Sequence, residues 1–92
     1  MPDLTFCFLI PIYNHHRTIE ATVEKLLSYA LPIIIVDDGS NEETKKVLSQ
    51  LTERFASEVL LHTLSENTGK GGACLAGFRV ASEQGYSHAL QI

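Results

Sequence analysis

No cluster of lysine or arginine occurs in this sequence. Seven basic residues stand against eleven acidic ones, for a net charge of −4. Binding nucleic acid through its phosphates needs grouped cations, so that class of partner is not expected. Cysteine is scarce: Cys7 and Cys74 are the two, both inside apolar-patterned segments and without the spacing of metal ligands. They read as small buried hydrophobes in a reducing compartment rather than as a disulfide or a metal site. No apolar run approaches the ~18 residues that would mark a membrane span. The N-terminus has no basic stretch, and its apolar run is broken by Pro11, Tyr13 and Asn14, so a secretory signal is not expected. Internal repeats, low-complexity tracts and linkers are also missing. These absences lead to the expectation of a soluble chain in the cytoplasm.

Hydrophobic residues make up 45% and charged residues 20% of the chain. That is the balance of an ordinary globular domain, and 92 residues suffice for one modest core. Leu4 to Ile10 is almost wholly apolar and rich in branched and aromatic residues, which predicts a strand buried on both faces and ending at Pro11. Ile19, Val23, Leu26, Leu27 and Ala30 follow at helical spacing, closed by Pro32. Ile33 to Val36 is a second buried strand. Ser40-Asn41-Glu42-Glu43 matches a capping box, with Ser40 accepting from an early helix N–H and Glu43 reaching back. Val47, Leu48, Leu51 and Phe55 supply the stripe of that helix. Val59 to Leu64 reads as a third strand and Gly69 to Gly72 as a flexible turn. Cys74, Leu75, Phe78 and Ala81 form a third stripe, ended by Gly85 as the residue after the cap. His88 to Ile92 is a fourth strand. The order βαβαβαβ implies a parallel sheet with right-handed crossovers and helices on both faces. Residues 1–92 are therefore expected to form a three-layer α/β unit, one half of a doubly wound domain.

In open parallel sheets ligands bind outside the carboxyl ends of the strands. Three such ends carry unusual chemistry here: Pro11-Ile12-Tyr13-Asn14-His15, Asp37-Asp38-Gly39-Ser40, and Ser65-Glu66-Asn67-Thr68-Gly69-Lys70-Gly71-Gly72. All three are expected on one edge of the sheet. One Asp before a helix is readily explained as a turn residue. Two adjacent carboxylates followed by Gly and a separate Ser are explained less well, because burying them unpaired is costly. A carboxylate at a strand end can accept from ribose hydroxyls or from a base N–H, and Gly39 would let the chain turn without a side chain in the ligand's way.

Pro11-Ile12-Tyr13-Asn14, then Ile35-Val36-Asp37-Asp38-Gly39-Ser40, then Asn67-Thr68-Gly69-Lys70-Gly71-Gly72-Ala73 resemble, in order and spacing, the N-terminal part of family 2 glycosyltransferases. These enzymes have the GT-A fold, a Rossmann-like architecture, and include dolichyl-phosphate mannose synthase-like proteins. The resemblance covers nearly the whole chain. It implies transfer of a hexose from a UDP- or GDP-sugar to an acceptor, aided by a divalent cation, Mg or Mn. It also implies a nucleotide-sugar pocket lined by Pro11, Tyr13, Asn14, His15, Asp37, Asp38, Gly69 and Lys70. Tyr13 would pack near the base and Asn14 would fix its loop. Asp37 or Asp38 would accept from base and ribose, and Lys70 would approach base, ribose or phosphates. The family often has Glu where His15 stands. Its Asp-x-Asp metal motif would follow the fourth strand, after Gln91-Ile92, and its general base lies further on. No catalytic or metal-ligating residue is therefore assigned within the chain, which is expected to bind the nucleotide part of a donor without transferring sugar. The parent is expected in the cytoplasm or at the cytoplasmic face of a membrane.

Competing readings are weaker. His15-His16 lack a third ligand and suit a loop, and His62 and His88 suit structural positions in or beside strands. Gly69-Lys70 lacks the remaining positions of a nucleoside-triphosphatase loop, and no G-x-G-x-x-G follows the first strand. A receiver-like phosphoacceptor domain would place Asp after the third strand, where Ser65 and Glu66 stand. A non-catalytic α/β interaction module is the third alternative. A half domain leaves its fourth strand as an open edge, so self-association through that edge is also expected.

Overall fold

The structure, a computed structural model, describes residues 3–92. Four strands alternate with three helices: β1 (Phe6–Ile12), α1 (Ile19–Leu27), β2 (Ile33–Asp38), α2 (Glu42–Arg54), β3 (Val59–Leu64), α3 (Gly69–Glu83) and β4 (His88–Gln91). The strands form one parallel sheet in the order β3-β2-β1-β4. The chain steps outward from β1 to β3, then crosses back over the sheet to place β4 on the far side of β1. Strand order therefore reverses at β1, and the crevice at such a reversal is where α/β sheets bind ligands. Receiver domains have the order 2-1-3-4-5. Here β3 lies outside β2, which removes the receiver-like alternative.

Alternation along each strand divides the core in two. Phe8, Ile10, Ile12, Ile33 and Ile35 face α1 and α2, and pack with Ile19, Val23, Leu26, Leu48 and Leu51. Cys7, Leu9, Ile34 and Val36 face α3 and pack with Ala73 and Ala81. The result is the expected three-layer α/β arrangement.

Five local expectations are corrected. β1 does not stop at Pro11 but runs to Ile12. The Phe8 N–H donates to Pro32 of the β2 side, whereas Leu9 accepts from Ile92 on the β4 side. Pro11 shares the side of Leu9, which faces β4, so its missing N–H removes no bond from the ladder that joins β1 to β2. Ala30 lies beyond α1 at φ 57° rather than in its stripe.

The cap of α2 is Asn41, whose side chain accepts from the Thr44 N–H at 2.9 Å. Ser40 and Glu43 form no capping box. Finally, Gly69 to Gly72 is not a flexible turn but the first turn of α3. The buried face of α3 is made of Ala73, Cys74, Gly77 and Ala81, while Leu75 and Phe78 are exposed. Gly77 lies against the Leu9 side chain, so small residues let the helix settle close to the sheet and the large ones turn outward. At the other end Gly85, at φ 90°, closes α3. Its N–H and that of Tyr86 donate to the Ser82 and Ala81 carbonyls, which is a Schellman motif.

Candidate functional site

The carboxyl ends of the strands frame a cleft of about 710 Å³, lined by Pro11, Ile12, Tyr13, His15, Asp38, Asn67, Gly69, Lys70, Ala73 and Ile92. The three segments singled out by the sequence thus meet on one edge. Tyr13 is half exposed, with its ring free to cover a flat ligand.

The two aspartates part company. Both are almost fully buried. Successive residues of a strand point to opposite faces, so Asp37 follows Ile33 and Ile35 toward α1 and α2, and Asp38 follows Ile34 and Val36 toward α3 and the cleft. Asp37 Oδ1 accepts from the Ser40 N–H at 3.0 Å. Its Oδ2 is buried and has no hydrogen-bond partner among the described residues. Asp38 does line the cleft. Its Oδ1 accepts from the Thr68 N–H at 2.8 Å and the Thr68 hydroxyl at 2.7 Å, and its Oδ2 accepts from the Asn67 amide at 3.1 Å. The same amide donates to the Asp38 carbonyl at 3.2 Å. A carboxylate offers about four acceptor positions, so one remains, on Oδ2.

This clamp ties the end of β2 to the start of α3. It also explains Gly39 better than clearance for a ligand does. At φ +74°, a Cβ there would lie 2.5 Å from the Asn67 nitrogen and 2.6 Å from the Glu66 carbonyl carbon. Glycine is needed because the two loops press together.

The start of α3 is open. Thr68 gives no side-chain cap and the first turn carries no acidic residue. A Cβ at Gly69 or Gly71 would meet nothing within 4 Å. Uncapped N–H groups, a partial positive dipole and Lys70 therefore share one mouth of the cleft. Among the described residues the ion pairs are Arg54 with Glu20 and Glu24, and His16 with Glu43, so Lys70 belongs to none.

Of the eight residues expected in the pocket, six line it: Pro11, Tyr13, His15, Asp38, Gly69 and Lys70. Asn14 and Asp37 do not. Asn67, in the same segment as Gly69 and Lys70 but outside those eight, lines the cleft too, and Thr68 is the partner of Asp38. Their position immediately before Gly69-Lys70, at the end of a strand, was the available signal. Among the described residues no three His, Cys, Asp or Glu side chains gather closely enough to hold a metal ion.

Residues 7–86 match the model of glycosyl transferase family 2. The chain belongs to that family. Among its curated relatives are two transferases named undecaprenyl-phosphate 4-deoxy-4-formamido-L-arabinose transferase. The one from Pseudomonas savastanoi pv. phaseolicola is 33% identical, over 76% of this chain and 23% of its own length. The one from Yersinia pestis (strain Pestoides F) is 32% identical, over 80% and 24%. This family 2 chain therefore spans about a quarter of the length of these relatives. A solved mannosyltransferase, PcManGT from Pyrobaculum calidifontis in complex with GDP-Man and Mn²⁺, superposes with a TM-score of 0.72 at 22% identity, over 83% of this chain and 24% of that one. The likeness shows the fold: the family 2 chain shares the α/β architecture of the matched part of that mannosyltransferase. No helix among the described residues is long and apolar enough to cross a membrane.

Proposed function

We propose that the cleft binds the nucleoside diphosphate part of a UDP- or GDP-sugar, and that the chain is the donor-binding part of a glycosyltransferase moving a hexose to an acceptor. The observation that carries this is the convergence of Tyr13, Asp38 and Lys70 on one cleft beside the strand-order reversal. In this reading the base stacks on Tyr13, and a base N–H or a ribose hydroxyl takes the remaining acceptor position on Asp38 Oδ2. The diphosphate meets Lys70 and the uncapped start of α3, where glycines leave room for close backbone approach. Transfer needs a general base toward the acceptor and, as in the neighbour that holds Mn²⁺, a divalent cation, Mg or Mn. Neither role is assigned to a residue of this chain, whose part in this reading is binding and orientation.

The test is titration of UDP and GDP against the protein, with and without Mn²⁺, beside Asp38→Ala. Binding of one nucleotide, little changed by Mn²⁺ and lost in Asp38→Ala, supports the reading. Absence of binding by both nucleotides, or unchanged binding by Asp38→Ala, refutes it. We also infer self-association at the β4 edge, where Leu90 and Ile92 are exposed. Sedimentation that shows only monomer at high concentration contradicts that part.

A further inference from the structure

We infer that Asp37, Ser40 and Asn14 are positioning residues: they brace the Tyr13 loop against the Asp38 loop from behind the cleft. The inference rests on the nucleotide-binding reading of that cleft and adds what holds its two sides at their spacing.

The geometry is a run of hydrogen bonds outside the cleft. Asp37 Oδ1 accepts from the Ser40 N–H at 3.0 Å and orients the Ser40 turn. Ser40, buried at 5% exposure, turns its hydroxyl oxygen to the Asn14 N–H at 2.9 Å. Asn14 returns the contact, its Oδ1 accepting from the Asn41 N–H at 2.7 Å. One step further on, His16 Nδ1 and Thr44 Oγ1 are 3.0 Å apart, and Thr44 is fully buried on α2. Residues of the loop after β1 therefore alternate in purpose. Asn14 and His16 are tied to the start of α2, and Tyr13 and His15 line the cleft. Asn14 sits at φ 53°, a left-handed conformation that Asn tolerates better than most residues. The bond to the Asn14 N–H fixes the peptide plane that joins it to Tyr13. On the other loop Asp37 and Ser40 bracket Asp38 and Gly39. On these two loops Tyr13, His15 and Asp38, which line the cleft, are thus each flanked by a brace residue that faces away from it. Two loops anchored to each other need no ordering when a ligand arrives, which is how such supports raise affinity without touching it.

The experiment measures UDP and GDP affinity and backbone amide exchange for the full chain and four variants. Ser40→Ala should weaken binding about tenfold, the scale of one lost hydrogen bond to a part-buried donor. It should also remove exchange protection at the Asn14 amide while β1 and β2 amides stay protected. Ser40→Thr keeps the oxygen and should restore both. Asn14→Gly is at ease at φ 53° yet lacks the acceptor, and should weaken binding. Asn14→Asp keeps the acceptor and should not. If Ser40→Ala does not fold, the Asn14 pair carries the same discrimination. Equal affinity in Ser40→Ala or Asn14→Gly overturns this inference alone, as does failure of Ser40→Thr to restore affinity. Absence of nucleotide binding by the unaltered chain overturns the nucleotide reading and this one with it.

Discussion

Replacing Gly39 by alanine should damage the junction at which the cleft is assembled. A residue with a Cβ at φ +74° occupies the left-handed region, which costs roughly 1–2 kcal/mol. The Cβ would also lie 2.5 Å from the Asn67 nitrogen and 2.6 Å from the Glu66 carbonyl carbon. Both are backbone atoms, and the loop they belong to is held by the four hydrogen bonds between Asp38 and Asn67–Thr68. The loops cannot give by rotating a side chain, so relief of the overlap adds about 1–3 kcal/mol. The sum is about 2–5 kcal/mol, set against a total of about 5–14 kcal/mol for a chain of this length. For a domain of this size each kcal/mol lowers Tm by about 4–8 °C, so Gly39→Ala should lose at least about 8 °C. Urea and thermal unfolding followed by circular dichroism measure both quantities. Gly71→Ala is the control: it lies in the first turn of α3 with nothing within 4 Å of its Cβ. It should leave stability unchanged or raise it by up to about 1 kcal/mol. A Gly39→Ala protein within about 1 kcal/mol of the parent would refute the reasoning, because backbone conformation and overlap together require about 2 kcal/mol or more.

Two further outcomes follow from single groups. Asn41→Ala removes the acceptor for the Thr44 N–H and should cost about 1 kcal/mol in urea unfolding. Glu43→Ala, which loses only an exposed 3.4 Å contact with His16, should cost less than that, and the reverse ranking would restore the capping box. Burial raises the Cys7 thiol above its ordinary value of 9.0, because the thiolate loses its hydration there. The native state therefore favours the neutral thiol. Its contribution is complete below the unfolded-state value and is lost as pH rises through the raised native value. Between pH 8 and pH 10.5, as rough settings either side of the ordinary thiol range, the unaltered chain should lose more stability than Cys7→Ala, and equal losses would contradict this.

The element order was legible because each segment announces its own period. Val59 to Leu64 is observed as read, and Gly85 stands in the left-handed position after α3. What local sequence could not carry was set by neighbours. Pro11 continues β1 because its missing donor faces away from β2, so the β1–β2 ladder loses no bond there, a fact of register rather than of residue type. The glycines after Thr68 enter a helix because α3 is packed against the sheet, with Gly77 close to Leu9. The same close packing selects the small stripe of α3 and leaves Leu75 and Phe78 outside. Ser40 looked like a cap because serine caps helices, but its oxygen is claimed by Asn14 from another loop.

The site was legible as three strand ends, and six of its expected residues line one cleft. The division between Asp37 and Asp38 was also available in principle. A period of two places neighbouring residues on opposite faces, so an adjacent pair cannot both turn toward one ligand. The clamp from Asn67 and Thr68 was not legible, because it depends on how closely the second and third loops approach.

Backbone resonance mapping during titration with UDP or GDP tests the central claim most directly. The account predicts that shifts gather at Tyr13, His15, Asp38, Asn67, Gly69 and Lys70, with the edge around Leu60 and Arg79 silent. Shifts centred on that far edge, or absent at saturating nucleotide, would contradict it.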